Sequence, residues 1–179
     1  MNARVWFRCD PRPFEQVEAD IALAALFTGE DVLRGPAGRI DWRLCGQLSE
    51  LRRDRGELLA EGECSLLATQ GRIAAPRLLL CGLGEPRDFG ARRLGDALGR
   101  AFERALALGA RRFVLAPFGF AADDFPRHAE QLVAAAVEAT EGLELASALA
   151  VQLPVPIEEI GRTERALEVL CRPGEAAVA

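Results

Sequence analysis

Two kinds of apolar run alternate along this chain, and both are clearest between Arg77 and Phe118. Leu78-Leu79-Leu80-Cys81 is short and continuous, and it feeds straight into Gly82-Leu83-Gly84. From Ala91 to Leu108 the apolar positions turn periodic. Leu94, Leu98, Ala101, Phe102, Ala105 and Leu108 fall on one helical face, while Arg92, Arg93, Arg100 and Glu103 fall on the face turned to water. Gly109 stands where a helix end takes a left-handed residue, and the apolar run Phe113–Ala116 follows. A strand, a glycine turn, a helix and a second strand make an α/β unit whose helix covers a largely buried sheet.

The remaining segments extend this order. Residues 4–8 predict a short strand, ended by Asp10-Pro11-Arg12-Pro13, since proline fixes φ and restricts the residue before it. Asp20–Phe27 fits a strand or a helix by period, and its acidic start and the turn Thr28-Gly29-Glu30-Asp31 favour the strand. Between Gly38 and Arg53, Ile40, Leu44, Leu48 and Leu51 recur at helical spacing, with Arg52, Arg53 and Arg55 trailing where positive charge suits the helix dipole. Glu63–Thr69 and Arg77–Cys81 read as a hairpin turning near Gln70-Gly71. Then come a loop at Ala121–Phe125, a helix over Arg127–Thr140 stopped by Gly142, a strand over Leu145–Leu153, and a last helix over Ile157–Leu170. That helix carries the stripe Ile157, Ile160, Leu167 and Leu170, and Pro154 and Pro156 set it apart as an appendage or a swapped element. The tail after Pro173 is expected to fray. No repeat and no linker divides residues 1–179, so one domain is expected.

Composition narrows the setting. A single domain of 179 residues buries roughly 70% of its unfolded surface, so its core needs neither metal nor disulfide. No apolar run reaches the about 20 residues that cross a bilayer, and the N-terminus has no apolar segment or small-residue cleavage site. The expectation is a bacterial cytoplasmic protein with no membrane partner. Cys9, Cys45, Cys64, Cys81 and Cys171 are an odd set with no close pair in sequence, neither a disulfide framework nor a zinc pattern. Cys64 and Cys81 fall in strands and read as buried, inert thiols. All 22 basic residues are Arg, which excludes a P-loop lysine and Schiff-base chemistry. The net charge of −5, without a basic stripe, argues against nucleic acid.

Candidate chemistry is sparse. Gly82-Leu83-Gly84 follows a strand and precedes a helix, a setting in which backbone amides cradle phosphate. Yet Arg87 stands where a dinucleotide fingerprint needs its third glycine and Glu85 adds negative charge, so a structural turn is favoured over nucleotide binding. His128, the single histidine, would have to serve any histidine-based nucleophile, and it reads instead as an exposed helix residue. In the pairs Asp123-Asp124 and Glu158-Glu159 adjacent side chains diverge, which suits helix N-termini better than a shared proton or metal. Trp6 and Trp42 read as core or interface packing rather than base stacking. Phe118-Gly119-Phe120 is the best candidate for a contact surface, with two aromatics at the sheet edge where ligands bind in open α/β folds.

The order of segments carries a resemblance. Ala19–Phe27, the helix with Gly46-Gln47-Leu48, the Arg55-Gly56-Glu57 turn, the strand Cys64–Thr69 and above all the stretch Arg77–Glu85 resemble the N-terminal domain of the leucyl aminopeptidases, the cytosol aminopeptidase family. The family's counterpart of that last stretch is a Lys- or Arg-led apolar strand ending Gly-Leu-Gly-Lys before an alanine-rich helix, and here Glu85 replaces the Lys. Over about residues 19–140 the resemblance implies a macro-domain-like three-layer α/β/α fold with a mixed central sheet, followed by a divergent strand and helix at about 143–171. In the family this domain performs no hydrolysis. The two-metal site lies in a C-terminal domain with the signature Asn-Thr-Asp-Ala-Glu-Gly-Arg, which these residues do not contain. No catalytic, cofactor or metal residue therefore carries over. The family's domain decorates a hexamer and in some bacterial members contributes to DNA binding, a role the acidic balance sets aside here.

Two functions follow as expectations. The first is a stand-alone, non-catalytic interaction or regulatory module that docks to an unidentified protein partner or to itself. The second is a macro-like binder of a nucleotide or ADP-ribose at the Gly82–Gly84 turn. Against the binder stands the absence of the Asn- and Gly-rich loops that ADP-ribose-binding macro domains use. A self-contained peptidase is not expected, because two-metal hydrolysis needs several carboxylates with Lys, and these residues include no Lys.

Overall fold

A computed structural model describes residues 4–29, 33, 35–56, 58–119, 125–141 and 143–171. Strands β1 (Val5–Asp10), β2 (Ile21–Leu26), β3 (Cys64–Ala68), β4 (Arg77–Gly82), β5 (Arg112–Leu115) and β6 (Leu149–Pro154) join in the order β1-β6-β5-β2-β4-β3. Neighbours run parallel except β3, which lies antiparallel to β4 at one edge. Helices α1 (Gly35–Arg43) and α2 (Gln47–Arg55) pack on one face, and α3 (Ala91–Ala107), α4 (Phe125–Glu141) and α5 (Ile160–Cys171) on the other. This is the three-layer α/β/α architecture with a mixed central sheet, as expected.

The alternation along each central strand builds two cores. Ile21, Leu23, Leu79, Cys81, Phe113 and Leu115 point towards α3–α5, and Ala22, Ala24, Leu26, Leu78, Leu80 and Val114 towards α1–α2. Because both faces are covered, every position of β2 is apolar, which is why its period alone fitted strand and helix equally. Helix α3 buries Leu94, Ala97, Leu98, Ala101, Phe102 and Ala105, with the Phe102 ring 5.5 Å from Phe113. Its end is closed by Gly109 at φ 79°. The Gly109 amide donates to Leu106 and the Ala110 amide to Ala105, the paired bonds of a Schellman cap. The chain leaves the helix there, so Leu108 is exposed and not part of the buried stripe.

Other expectations need correction. The helix predicted over Gly38–Arg53 is two helices. Cys45 at φ 56° and Gly46 at φ 83° break it, and Asp41 caps α2 by accepting from the amides of Leu48 (2.8 Å) and Ser49 (3.1 Å) and from the Ser49 hydroxyl. Arg93 is half-buried instead of facing water. Strand β6 begins at Leu149, not Leu145. Around the last helix, Ile157 is 75% exposed in a 3₁₀ turn and Leu170 is exposed, while Thr163 joins Leu167 in the buried stripe. That helix is no appendage: it packs on α4 and β1, and β6 sits between β1 and β5. Most of the loop expected at Ala121–Phe125, the stop at Gly142 and the tail lie outside the described residues, and Phe125 itself opens α4.

Asp20 fastens the start of β2 to the start of β5. Its carboxylate accepts from the amides of Arg111 (2.8 Å) and Arg112 (2.9 Å) and from the Arg112 guanidinium (3.0 Å). Burial alone would push this carboxyl up, but these donors outweigh it and hold it below the usual carboxylate range. A carboxyl held low in the folded state stabilises the fold fully above its unfolded pKa, about 3.9. That contribution is lost as pH falls through the folded value. Asp20→Asn is therefore expected to lower stability at pH 7 by about 1–3 kcal/mol, with the difference shrinking as pH falls below about 4. Denaturant titrations of both proteins across pH check this, and a pH-independent difference would refute a role for the charge.

Candidate functional site

Five parallel strands end at one rim of the sheet, and the chain changes direction about β2: after β2 it builds β3 and β4 on one side, then crosses through α3 to β5 on the other. Ligands of open α/β sheets bind outside the carboxyl ends of strands at such a switch. The loops there are Pro11–Pro13 after β1, Thr28-Gly29 after β2, the glycine turn after β4, Pro117–Gly119 after β5 and Val155-Pro156 after β6.

The glycine turn continues the sheet. Leu83 donates to Leu26 (2.8 Å) and Thr28 to Gly84 (2.9 Å), and Gly84 takes φ 74°. A strap over residues 59–63 lies against it: a Cβ on Gly82 would stand 2.0 Å from the Ala60 carbonyl oxygen, and one on Gly84 2.8 Å from Glu61 Oε2. Glu61 is held in turn by Arg93 at 3.4 Å. A 3₁₀ turn, Pro86–Asp88, separates this turn from Gly90 at the start of α3, so the glycines do not open the helix directly. Backbone and a carboxylate thus crowd the turn.

Beside it the rim is sealed by aromatics. Phe27 and Phe89 meet edge to face at 5.1 Å. Phe118, expected to be an exposed contact, is 1% exposed, because Gly119 at φ 78° turns the chain close against Phe89 and Leu83. Phe120 lies outside the described residues.

Concavities lie elsewhere among the described residues. A recess of about 220 Å³ lies at the ends of β1 and β6, lined by Arg12, Pro13, Arg39, Pro117, Pro154 and Pro156 among others. Its two guanidinium groups are occupied: Arg12 pairs with Asp10 at 2.7 Å and Arg39 with Glu15 at 3.3 Å. The Arg12 hydrogen bonds hold the Asp10 carboxyl below its usual range. A wider groove of about 830 Å³ runs between α1 and α2, lined by Leu33, Gly38, Trp42, Cys45 and Arg53 among others. Trp42 is 73% exposed there, with the Arg43 guanidinium 5.2 Å from its ring centroid.

The other candidates scatter. Trp6 is 67% exposed on edge strand β1, so neither tryptophan belongs to the core. His128 is half-buried in the first turn of α4, Glu158 and Glu159 sit in the 3₁₀ turn before α5, and Asp123-Asp124 lie outside the described residues. Among the described residues no three His, Cys, Asp or Glu side chains gather as metal ligands. One juxtaposition escaped the sequence reading. Cys64 and Cys81 are register partners across β3 and β4, with their sulfurs 3.3 Å apart. Pairing the predicted strand ends, Thr69 and Arg77, sets Ser65 opposite Cys81; the observed ladder instead pairs Ala68 with Arg77, and that shift of one residue brings Cys64 to Cys81.

Comparison with known proteins places this fold. Residues 25–145 match the profile of the cytosol aminopeptidase family, N-terminal domain. A probable cytosol aminopeptidase of Oleidesulfovibrio alaskensis is 30% identical over 96 residues, which cover 54% of this chain and 18% of that protein. Among solved structures, a tomato leucine aminopeptidase variant superposes with a TM-score of 0.58 at 16% identity, covering 93% of this chain and 36% of that one. A Trypanosoma brucei macrodomain in complex with ADP gives 0.66 at 16% identity, over 92% of this chain and 69% of that one.

The strap over the glycine turn is directly testable. Gly82→Ala drives a Cβ into backbone and is expected to cost about 1–3 kcal/mol. Gly95→Ala, which meets open space inside α3, is expected to gain about 0.5–1 kcal/mol. Thermal unfolding of the two variants compares them, and a neutral Gly82→Ala would show that the strap does not rest there.

Proposed function

The chain belongs to the cytosol aminopeptidase family through its N-terminal domain, and from that membership we propose that it is a non-catalytic protein-interaction module. The observation that carries this reading is Trp42, a large aromatic left exposed at the mouth of the α1–α2 groove while Ile40 and Leu44 beside it are buried. A rigid aromatic with an arginine stacked on it is the chemistry of interface hot spots. The groove is also firmly built, since Asp41 fixes the α1–α2 corner from below. The partner is a protein surface, a second copy or another chain, and the proposed setting is the cytoplasm. Among the described residues no helix is long and apolar enough to cross a membrane.

A second reading, nucleotide or ADP-ribose binding, draws support from the recess with Arg12 and Arg39 and from the likeness to a macrodomain that holds ADP. The recess is smaller than the roughly 300–1,000 Å³ of ordinary ligand pockets, and both arginines already have carboxylate partners. This leaves the interaction module as the better-supported reading.

Trp42→Ala is expected to fold normally and to weaken association about tenfold or more, equivalent to about 1.4 kcal/mol or more. Sedimentation across concentration measures self-association, and capture from cell extract with wild type and variant in parallel measures other partners. A wild type that stays monomeric and captures nothing the variant does not would sink the proposal. Thermal unfolding with ADP-ribose and mononucleotides tests the second reading. A ligand at 100 times its Kd adds about 2.7 kcal/mol, at roughly 2–4 °C per kcal/mol. A rise of that size, abolished by Arg12→Ala, would put the binder first.

A further inference from the structure

We infer that Cys64 and Cys81 form a reactive dithiol, a redox modification site in which Cys64 attacks a low-molecular-weight disulfide and Cys81 resolves the product into a cross-strand disulfide. The geometry is that of a pair built to close. The two residues are directly opposed in the antiparallel β3–β4 ladder, and their sulfurs, 3.3 Å apart, need to approach by only about 1.3 Å to reach a bond length near 2.05 Å. Beside them the Gly82 amide donates to the Glu63 carbonyl at 2.9 Å, so the ladder holds the pair in register.

The two thiols differ in the way such chemistry needs. Cys64 is half-buried on the edge strand, whereas Cys81 is 2% exposed among the apolar side chains beneath α3. The hydrogen bond with Cys81 lowers the Cys64 thiol; burial opposes that effect, and the charges of Arg104 and Arg100 on α3 add to it. The same hydrogen bond, followed by burial, pushes Cys81 up. Cys9 makes the contrast, since burial, aided by Glu164, raises it to about 11.

The steps balance with the low-molecular-weight disulfide as oxidant. The Cys64 thiolate attacks one sulfur of R–S–S–R, a new S–S bond forms, and RS⁻ departs. That thiolate takes the Cys81 proton, and the Cys81 sulfur attacks Cys64, displacing the second RS⁻, which is protonated from solvent. Two protein thiols are oxidised to one disulfide, and the reagent is reduced to two thiols. The cross-link ties the 59–63 strap to β4 immediately before the glycine turn.

Oxidised glutathione serves as the probe on the reduced full chain under native conditions, followed by blocking of remaining thiols and mass mapping. Cleavage after arginine places Cys64 and Cys81 on separate peptides, 56–72 and 78–87, so the bond is read as their covalent pair. We expect that pair in wild type, glutathione retained on Cys64 in Cys81→Ser, and an unmodified Cys81 in Cys64→Ser. Cys64 should be consumed about ten times faster than Cys45 at neutral pH. Should Cys81→Ser fail to fold by circular dichroism, Cys81→Ala keeps the site apolar and must give the same trapped adduct, only more slowly, because it removes the hydrogen bond that lowers Cys64. Oxidation of Cys45 with Cys64 still open to alkylation would overturn the inference, and so would a folded Cys81 variant that carries no adduct on Cys64 however long the exposure.

Discussion

No side chain can stand at residue 82, and the rim of the sheet is organised by that constraint. The Ala60 carbonyl oxygen occupies the place of the missing Cβ. Around it the Gly62 amide donates to Gly82, the Gly82 amide to Glu63 and the Glu63 amide to Ala60, with Gly62 at φ 78° closing the turn. This knot sets the register in which β3 enters the sheet, and therefore sets Cys64 against Cys81. It also lays Glu61 over Gly84. A bulkier residue at either glycine would lift the strap, and register, dithiol and acidic cover would change together.

Much of the fold was legible because its signals were local. The α3 stripe and its Gly109 cap, the glycine turn and the short apolar strands follow from periods and from backbone positions that favour glycine. The α1–α2 corner was not, because Ile40, Leu44 and Leu48 stay buried on either side of the break and keep an unbroken helical period. Only Gly46 hinted at it, and the group that caps α2, Asp41, lies seven residues before the Leu48 amide it receives. The rim read less well still. Phe118 turned inward because Gly119 brings the chain against Phe89 and Leu83, a contact between segments about thirty residues apart. Trp6 is exposed on an edge strand and Trp42 on the open face of α1, placements that composition does not encode.

Charge decides what the rim can accept. Several of its arginines face carboxylates: Arg12 pairs with Asp10, Arg39 and Arg43 with Glu15, and Arg93 with Glu61. Such partly exposed pairs contribute about 0–1 kcal/mol each to stability, so their weight in holding the fold is small. Their effect on binding is larger, because a phosphate would have to displace a carboxylate already paired with the guanidinium. A macro-like sheet thus carries a rim on which Arg12, Arg39 and Arg93 face carboxylates and whose glycine turn is roofed by Glu61. Fold likeness at 16% identity speaks to architecture, and function rests with the side chains mounted on it.

The two features that remain unabsorbed by the rim lie on opposite sides of the sheet. The Trp42 groove belongs to the α1–α2 face, and Cys81 points into the core beneath α3. Strand β4 is the element common to both, since Leu78 and Leu80 enter the core under α1–α2 while Leu79 and Cys81 enter the other. A densely packed strand buried on both faces transmits strain, so a shift of β4 itself would be felt in both cores. Closing the dithiol needs only a side-chain movement of about 1 Å, which the strand can absorb without shifting Leu80. Oxidation should therefore fix the strap and leave the groove as it is, making the dithiol a local lock on the rim and the groove an independently acting surface.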